Sequence, residues 1–371
     1  MATLNKERIG VFFGGRSGEH EVSIRSARSI IAHLDTKRYE IIQIAITQQG
    51  HWLSGANVLE QMENNTHEGL FPVSLLPQPG NNCLYAIRNG QMEFFTGLDV
   101  AFPVLHGTFG EDGTIQGLFE MAGIAYVGAG VLASSVGMDK GLFKSVMCGH
   151  GIPVLADRIF TRNQVETQID AVISEIEQFA NFPLFIKPAN LGSSVGITKC
   201  RSHSDLLEGL MEAARFDRRI LVEVGLEKAR EIEVSVLGND DPQASLPGEV
   251  IPGEDFYTYS AKYLADNSQL VIPAQLPEDI IKEIRQTAVK VYRAIDCAGM
   301  ARVDFLVDPV QLAFYVSEVN TIPGFTSISM YPKLWEASGV PYPALVERLV
   351  ELAFERKNDR DRTEFSYRRD P

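Results

Sequence analysis

The amino-acid sequence predicts a chain of several domains that opens with a parallel α/β sheet and continues in mixed α+β units. Strand-like and helix-like segments alternate from residue 9 onward, the pattern of βα units. From Pro183 the texture changes to short strands joined by turns containing glycine and serine. The 371 residues, 45% hydrophobic, also exceed what a single core usually organises.

The first βα unit runs from the apolar segment 9–13 through Gly14 and Gly15 into a helix expected after Ser23. Its buried stripe is Ile24, Ala27, Ile31 and Leu34. In the second, an apolar strand at 99–105 enters His106, Gly107 and a loop ending at Gly113, and a helix follows at 115–121. Residues 126–130, with Gly128 and Gly130, mark a domain edge. Residues 132–150 read as one helix, stopped by Gly151 and Pro153, with Lys140 and Lys144 one turn apart. Residues 185–187 and 195–199 flank a Gly/Ser loop as an antiparallel hairpin, and 219–224 and 231–237 add strands. The stretch 248–275, rich in tyrosine and charge but without a period, is a candidate mobile lid over a site. Residues 282–295 are helical, and past residue 351 the charges alternate without an apolar stripe into a frayed tail. The expected domains are 1–128, an N-terminal α/β substrate-binding unit, then 129–223 and 224–371, the last holding the lid.

Charge and cysteine usage narrow the function classes. The balance of 34 basic against 48 acidic residues, a net −14, argues against nucleic-acid and anionic-membrane binding, so any phosphate partner is held by a few local cations. Cys83, Cys148, Cys200 and Cys297 are scattered without a C-x-x-C pair, which signals buried thiols in a reducing compartment. Residues 1–8 hold no apolar leader and no run approaches membrane-spanning length, so the expected location is cytoplasmic.

Residues 301–308 and 313–324 read as a β-hairpin turned at Asp308-Pro309. Period-2 alternation puts Arg302, Asp304, Glu318 and Asn320 on one face. Two carboxylates and an amide carbonyl suit Mg²⁺, which takes few protein oxygens and fills its sphere with water and phosphate. A solvated hairpin face has the same alternation. The loop from Leu191 through Gly192, Ser193, Ser194, Val195 and Gly196 offers backbone N–H groups and hydroxyls to an anion, although a flexible hairpin tip has that composition too. Lys187, on the strand entering the loop among Phe185, Ile186 and Pro188, requires an anionic partner. No G-x-x-x-x-G-K-[ST] occurs, and the glycines at 14, 15 and 18 depart from dinucleotide spacing.

Lys140, Lys187, the Gly/Ser loop, the acidic strand end at Glu223 and the metal hairpin together resemble the ATP-grasp superfamily, in which two α+β units clamp ATP. A longer series sharpens the resemblance. His20 to Ser23, His106-Gly107 with Glu111 to Thr114, Met138-Asp139-Lys140, Gly192 to Gly196, Tyr257, Tyr259, Lys262 and Tyr263, and Glu318, Asn320, Thr321, Pro323 and Gly324 follow the order found in D-alanine–D-alanine ligases, from residue 9 to about 355.

The resemblance implies an ATP-grasp fold and D-Ala-D-Ala synthesis for peptidoglycan precursors, through a D-alanyl phosphate. It implies that Lys140 and Lys187, with Ser194, hold ATP phosphates, that Glu223, Val224 and Leu226 receive adenine, and that Glu231 binds the ribose. Lys262 would reach the transferring phosphoryl group from the lid. Asp304, Glu318 and Asn320 would bind two Mg²⁺ ions, with Mn²⁺ able to substitute. Glu21 would anchor the first substrate's ammonium and His106 would contact substrate. Ser193 and Tyr263 would link the phosphate loop to the lid, Ser329 and the Gly324 backbone would receive the acceptor's carboxylate, and Arg302 would stabilise the oxyanion. A homodimer is implied, with no nucleic-acid or membrane partner. Each residue also has a plainer reading: Glu21 as a helix-start acid, Ser193 as a turn residue, Tyr263 and His106 as packing groups.

The chain departs from the family at Leu191, where many relatives are polar, and at Gly225 and Ala229 in the adenine hinge. Within the family, some ligases take a hydroxy acid; Tyr263 favours the dipeptide. A biotin- or bicarbonate-using carboxylase would lack the Tyr257 to Tyr263 pattern, and a nucleotide sensor would have lost a metal ligand or Arg302.

Overall fold

The computed structural model describes residues 6–192, 195–251 and 269–364. Ser193, Ser194, Tyr257, Tyr259, Lys262 and Tyr263 lie outside the described residues.

The N-terminal unit contains β1 (Glu7–Gly14), α1 (His20–His33), β2 (Tyr39–Ile46), β3 (Trp52–Ser54), α2 (Val58–Glu63), β4 (Phe71–Leu75), β5 (Cys83–Arg88), β6 (Gln91–Gly97), β7 (Val100–Val104), α3 (Thr114–Ala122) and β8 (Ala125–Tyr126). Eight strands lie in the order β6-β5-β4-β3-β2-β1-β7-β8. The expected parallel sheet is half of this. β2, β1, β7 and β8 are parallel, and β3 to β6 form an antiparallel extension. The turn between β5 and β6 is Asn89-Gly90, with φ of 51° and 75°; a two-residue hairpin loop with both residues at positive φ matches the twist of its strands.

Helix α1 begins at His20, four residues before the expected start at Ile24. Ser23 is not a cap: its hydroxyl accepts from the Gly14 N–H at 2.7 Å and donates to the Val104 carbonyl, tying the helix to the ends of β1 and β7. Gly14 has φ 89°, and a Cβ there would stand 2.3 Å from the Ile46 carbonyl oxygen, so the turn admits only glycine.

The expected single helix at 132–150 is two, α4 (Val131–Met138) and α5 (Lys140–Gly149). Asp139 breaks it. Its backbone is extended and its carboxylate accepts from the Leu142 N–H, so α5 has its own N-cap. Then follow β9 (Asp157–Thr161), α6 (Arg162–Thr167), α7 (Ile169–Phe179), β10 (Leu184–Pro188), β11 (Thr198–Cys200), α8 (His203–Phe216) and β12 (Arg219–Val224). The four strands make an antiparallel sheet in the order β11-β10-β12-β9, with a core of Ile173, Ile176, Leu206, Leu210, Ile186 and Val222.

The third unit has β13 (Arg230–Gly238), β14 (Gln243–Ala244), β15 (Gly248–Ile251), β16 (Gln269–Val271), α9 (Glu278–Ala294), β17 (Gly299–Val307), β18 (Phe314–Asn320), α10 (Met330–Ala337) and α11 (Tyr342–Arg360). Its sheet runs β16-β15-β13-β17-β18, with β14 on β13. The ends of the stretch expected to be a lid are therefore paired strands, with Glu249 opposite Val271. α9 and the apolar sides of α4 and α5 pack on one face of this sheet through Val291, Ala133 and Met147. α11 carries Leu345, Leu349 and Val350 into a core shared with Ile9, Val11 and Phe102, which joins the first and third units. Among the described residues no helix is long and apolar enough to cross a membrane. Cys200 and Cys297 are buried as expected, but Cys148 is exposed.

Candidate active site

The site begins with strand register. Glu233 on β13 lies opposite Asp304 on β17, which lies opposite Glu318 on β18; one step along, Ser235, Arg302 and Asn320 line up the same way. Cross-strand partners share a face, so three carboxylates, an arginine and an amide form two adjacent rows. Their strand neighbours Val303, Phe305, Val316 and Val319 point into the core. Strict alternation would have put Val316 beside Glu318. A register shift beyond Asp304, which leaves Phe305 opposite Val316 and Ser317 as the extra residue, turns Val316 inward while Glu318 stays on the site face.

Arg302 donates to both Asp304 oxygens, Nε to Oδ1 at 2.7 Å and Nη2 to Oδ2 at 2.6 Å. Asn320 Nδ2 donates to Asp304 Oδ2 at 3.0 Å, and Glu233 Oε2 lies 3.0 Å from Arg302 Nε. Asp304, Glu318 and Asn320 supply hard oxygens on one accessible face, the donor set that suits Mg²⁺ with its remaining positions on water and phosphate. Among the described residues no group of three or more histidines, cysteines and carboxylates is placed to hold a metal ion.

Facing these rows is the start of α5. Asp139 holds Asn190 and Arg219 as well as its own helix end, and the Lys140 N–H donates to the Ala189 carbonyl at 3.0 Å. The loop at 189–192 is thereby fixed against the helix. Lys140 Nζ donates to the Leu191 carbonyl at 2.6 Å and lies 4.0 Å from Glu318 Oε2. Leu191, a departure from the family, contributes here through its backbone.

Lys187 pairs with Glu223 on the neighbouring strand, and Glu223 also holds Lys144, a residue to which the sequence had assigned no role. All three are sequestered. Burial pushes the Glu223 carboxyl up, but the two ammonium groups outweigh it and hold it at about 2; burial works against the Lys187 charge, and Glu223 outweighs that and raises it. Val224, the last residue of β12, Leu226 in the link to β13, and Glu231 near the start of β13 follow directly, all three half-buried. Gly225 has a local cause: its N–H donates to the Pro183 carbonyl at 2.9 Å, and a Cβ would come 2.8 Å from that oxygen.

One cavity joins the sheet face to the start of α5, and Lys187, Glu223 and Glu231 are not in its lining. Its lining includes Lys140, Gly192, Arg302, Glu318, Asn320, Gly324 and Ser329, together with Glu19, Glu111 and Glu233. Ser329 stands just before α10, its hydroxyl accepting from the Thr326 N–H at 3.0 Å, and a Cβ on Gly324 would meet that oxygen at 2.9 Å.

Two expectations need correction. Glu21 is exposed on the first turn of α1 and does not line the cavity, whereas Glu19, the residue preceding the helix, is buried and does. Residues two apart at a helix start point about 200° apart, so only one of this pair can face the site. Glu19 Oε2 sits where a Cβ on Gly107 or Gly192 would come within 2.7 or 2.9 Å, which explains both glycines. His106 is also not on this cavity. Its Nδ1 lies 2.9 Å from the Ile322 carbonyl and its Nε2 3.0 Å from Ser26 Oγ, so the ring ties α1 to the segment after β18, and burial lowers its basicity.

Glu111, which the sequence showed only as part of a motif, lines the cavity beside Glu19. Burial, and then the Glu19 charge, push it up to about 8, although the Gly107 and Ile322 N–H groups donate to its two oxygens at 2.8 and 3.0 Å. Two carboxyl groups close together on one cavity wall suit an ammonium ligand.

Residues 8–129 match the family model described as the D-ala D-ala ligase N-terminus, and residues 146–351 that of the D-ala D-ala ligase C-terminus. The chain is 46% identical over 366 residues to a D-alanine–D-alanine ligase of Natranaerobius thermophilus, covering 98% of this chain and all of the relative. It is 47% identical to one of Ruminiclostridium cellulolyticum, covering 96% and 97% of the two chains. Among solved structures, the D-alanine-D-alanine ligase of Coxiella burnetii superposes with a TM-score of 0.81 at 36% identity, over 96% of this chain and 97% of that one. The VanG D-Ala:D-Ser ligase of Enterococcus faecalis superposes with a TM-score of 0.84 at 34% identity, over 94% of this chain and all of that one.

Proposed function

This chain belongs to the D-alanine–D-alanine ligase family, and on that premise we propose how its own residues carry the ATP-dependent ligation of D-alanine for peptidoglycan precursor synthesis. The observation that supports the assignment most is the convergence, in one cavity, of the Glu318 and Asn320 oxygens, Lys140 and Arg302, with Asp304 beside Glu318 in the strand register.

A carboxylate is a poor electrophile, so the γ-phosphoryl group of ATP first converts one D-alanine into an acyl phosphate. Lys140 and Lys187 hold the phosphates, and the loop at 191–196, with Ser194, closes on them. The segment Glu223 to Leu226 receives adenine and Glu231 the ribose. Asp304, Glu318 and Asn320 would hold two Mg²⁺ ions, for which Mn²⁺ substitutes, and bound metal neutralises charge on the transferring oxygens. Glu19, in place of Glu21, takes the ammonium of the first D-alanine, with Glu111 as its partner. The second D-alanine places its carboxylate at Ser329 and the Gly324 backbone, and its amine attacks the acyl phosphate. Arg302 stabilises the oxyanion that develops, a contribution of a few kcal/mol for a preorganised donor shielded from water. The family resemblance gives Ser193 and Tyr263 the link between phosphate loop and lid near the second D-alanine, and Lys262 the transferring phosphoryl group. The functional division into 1–128, 129–223 and 224–371 draws support from the three separate sheets. The enzyme works in the cytoplasm as a homodimer, where D-alanine and ATP meet.

The test is phosphate release from the purified protein with Mg²⁺-ATP and either D-alanine, L-alanine, or D-alanine plus D-lactate, with products identified by mass. Release that requires D-alanine and yields D-Ala-D-Ala supports the assignment. Release indifferent to D-alanine sinks it.

A further inference from the structure

Arg302 and a metal ion at Asp304 compete for the same two oxygens. In the structure the Arg302 guanidinium is spent on Asp304, Nε on one oxygen and Nη2 on the other. If Asp304 turns those oxygens to a cation, the arginine loses these two hydrogen bonds, yet a preorganised oxyanion donor has to stay fixed. A second anionic neighbour lies within reach. Glu233, directly across the strand pair from Asp304, is buried, lines the cavity and places Oε2 3.0 Å from Arg302 Nε. The contact is an ion pair without hydrogen-bond alignment, because the Nε–H points at Asp304. A small rotation of the guanidinium transfers that N–H to Glu233 without moving the arginine off the sheet.

We propose that Glu233 is a positioning residue that takes over the Arg302 guanidinium when Asp304 engages metal. This inference rests on the assignment of Arg302 to the oxyanion and of Asp304 to the metal. Glu233 is not itself a metal ligand, since it stands on the far side of Asp304 from Glu318 in the three-strand row and already faces a cation. Its carboxylate is also the reason the arginine can sit in a buried site when a second positive charge arrives next to it.

A double-variant cycle tests this, using the full-length protein and the variants Glu233→Gln, Glu233→Asp, Arg302→Ala and Glu233→Gln/Arg302→Ala. Glu233→Gln is expected to lower kcat about ten- to hundredfold, the usual effect of removing a group that orients a functional residue, with the KM for ATP little changed. Glu233→Asp should recover part of the loss. The combined variant should be no slower than Arg302→Ala, because a residue acting only through Arg302 has nothing left to position. Mn²⁺ binding with ADP, followed by electron paramagnetic resonance, supplies a readout apart from turnover and should stay within about twofold in Glu233→Gln, whereas loss of a ligand would weaken it roughly tenfold or more. Losses that multiply in the combined variant, or that tenfold weakening of Mn²⁺, overturn the inference. If Arg302→Ala alone leaves kcat intact, the oxyanion assignment fails and takes the inference with it, an outcome distinct from the first two.

Discussion

The cavity has two halves built in different ways. One is a sheet face, where Glu233, Asp304, Glu318, Arg302 and Asn320 are placed by the register of three paired strands. The other is made of loops and helix starts, where Glu19, Glu111, Gly192 and Ser329 meet from distant points of the chain. On the sheet, side-chain direction follows from alternation, and one arginine stands among three carboxylates, which leaves the face negative. In the loops nothing periodic sets direction. Two carboxylates are left close together in a buried pocket, and one of them is pushed up to about 8. The first half is preset for cations; the second holds an unfavourable charge arrangement that an ammonium ligand would relieve.

The sharpest way to break this contrast is on the sheet. Glu318→Ala should lower ATP-dependent dipeptide formation roughly a thousandfold, as expected when a group stabilising transition-state charge is lost. Retention of turnover would show that the sheet face is a solvated hairpin. On the loop side, Glu19→Gln should raise the KM for the first D-alanine about ten- to hundredfold, the worth of one hydrogen bond to a charged group, whereas Glu21→Gln should change it less than about twofold. The opposite ranking would restore Glu21.

Another variant addresses the buried charges around Glu223. Lys144→Met leaves Glu223 with Lys187 alone and should destabilise the fold by about 3 kcal/mol in chemical denaturation, as breaking a buried ion pair does. Glu111→Gln acts with pH. The folded-state pKa of Glu111 lies above its unfolded value, so its stabilising contribution is present at low pH and is lost as pH rises toward about 8. The melting temperature of wild type should therefore fall relative to Glu111→Gln between pH 5 and pH 8. Parallel curves would place the titration elsewhere. The smallest effect belongs to Gly225→Ala, where the 2.8 Å approach to the Pro183 oxygen predicts a loss of about 1–3 kcal/mol.

How much was legible follows the same division. Arg302, Asp304, Glu318 and Asn320 share the face that alternation assigned to them, although the bulge at Ser317 was invisible because one extra residue leaves the composition unchanged. The strands of the central sheet were readable from their apolar runs, and the antiparallel extension was signalled by Asn89-Gly90, a turn the reading passed over. Asp139 could have announced the helix break, since an aspartate before Lys140 is a cap signal as much as a helix residue. Glu19 against Glu21 could not be decided by pattern: both flank a helix start, and only the turn through Gly14 and Gly15 sets which one enters the cavity. Glu233 stood in plain view on a strand, but its role needed Asp304 as its cross-strand neighbour.

The most direct measurement follows the carboxylate itself. With D-alanine labelled by ¹⁸O in its carboxyl group and Mg²⁺-ATP, activation by phosphoryl transfer in this cavity predicts one ¹⁸O in the phosphate released per D-Ala-D-Ala formed. Unlabelled phosphate alongside dipeptide, or label recovered in AMP, would contradict it.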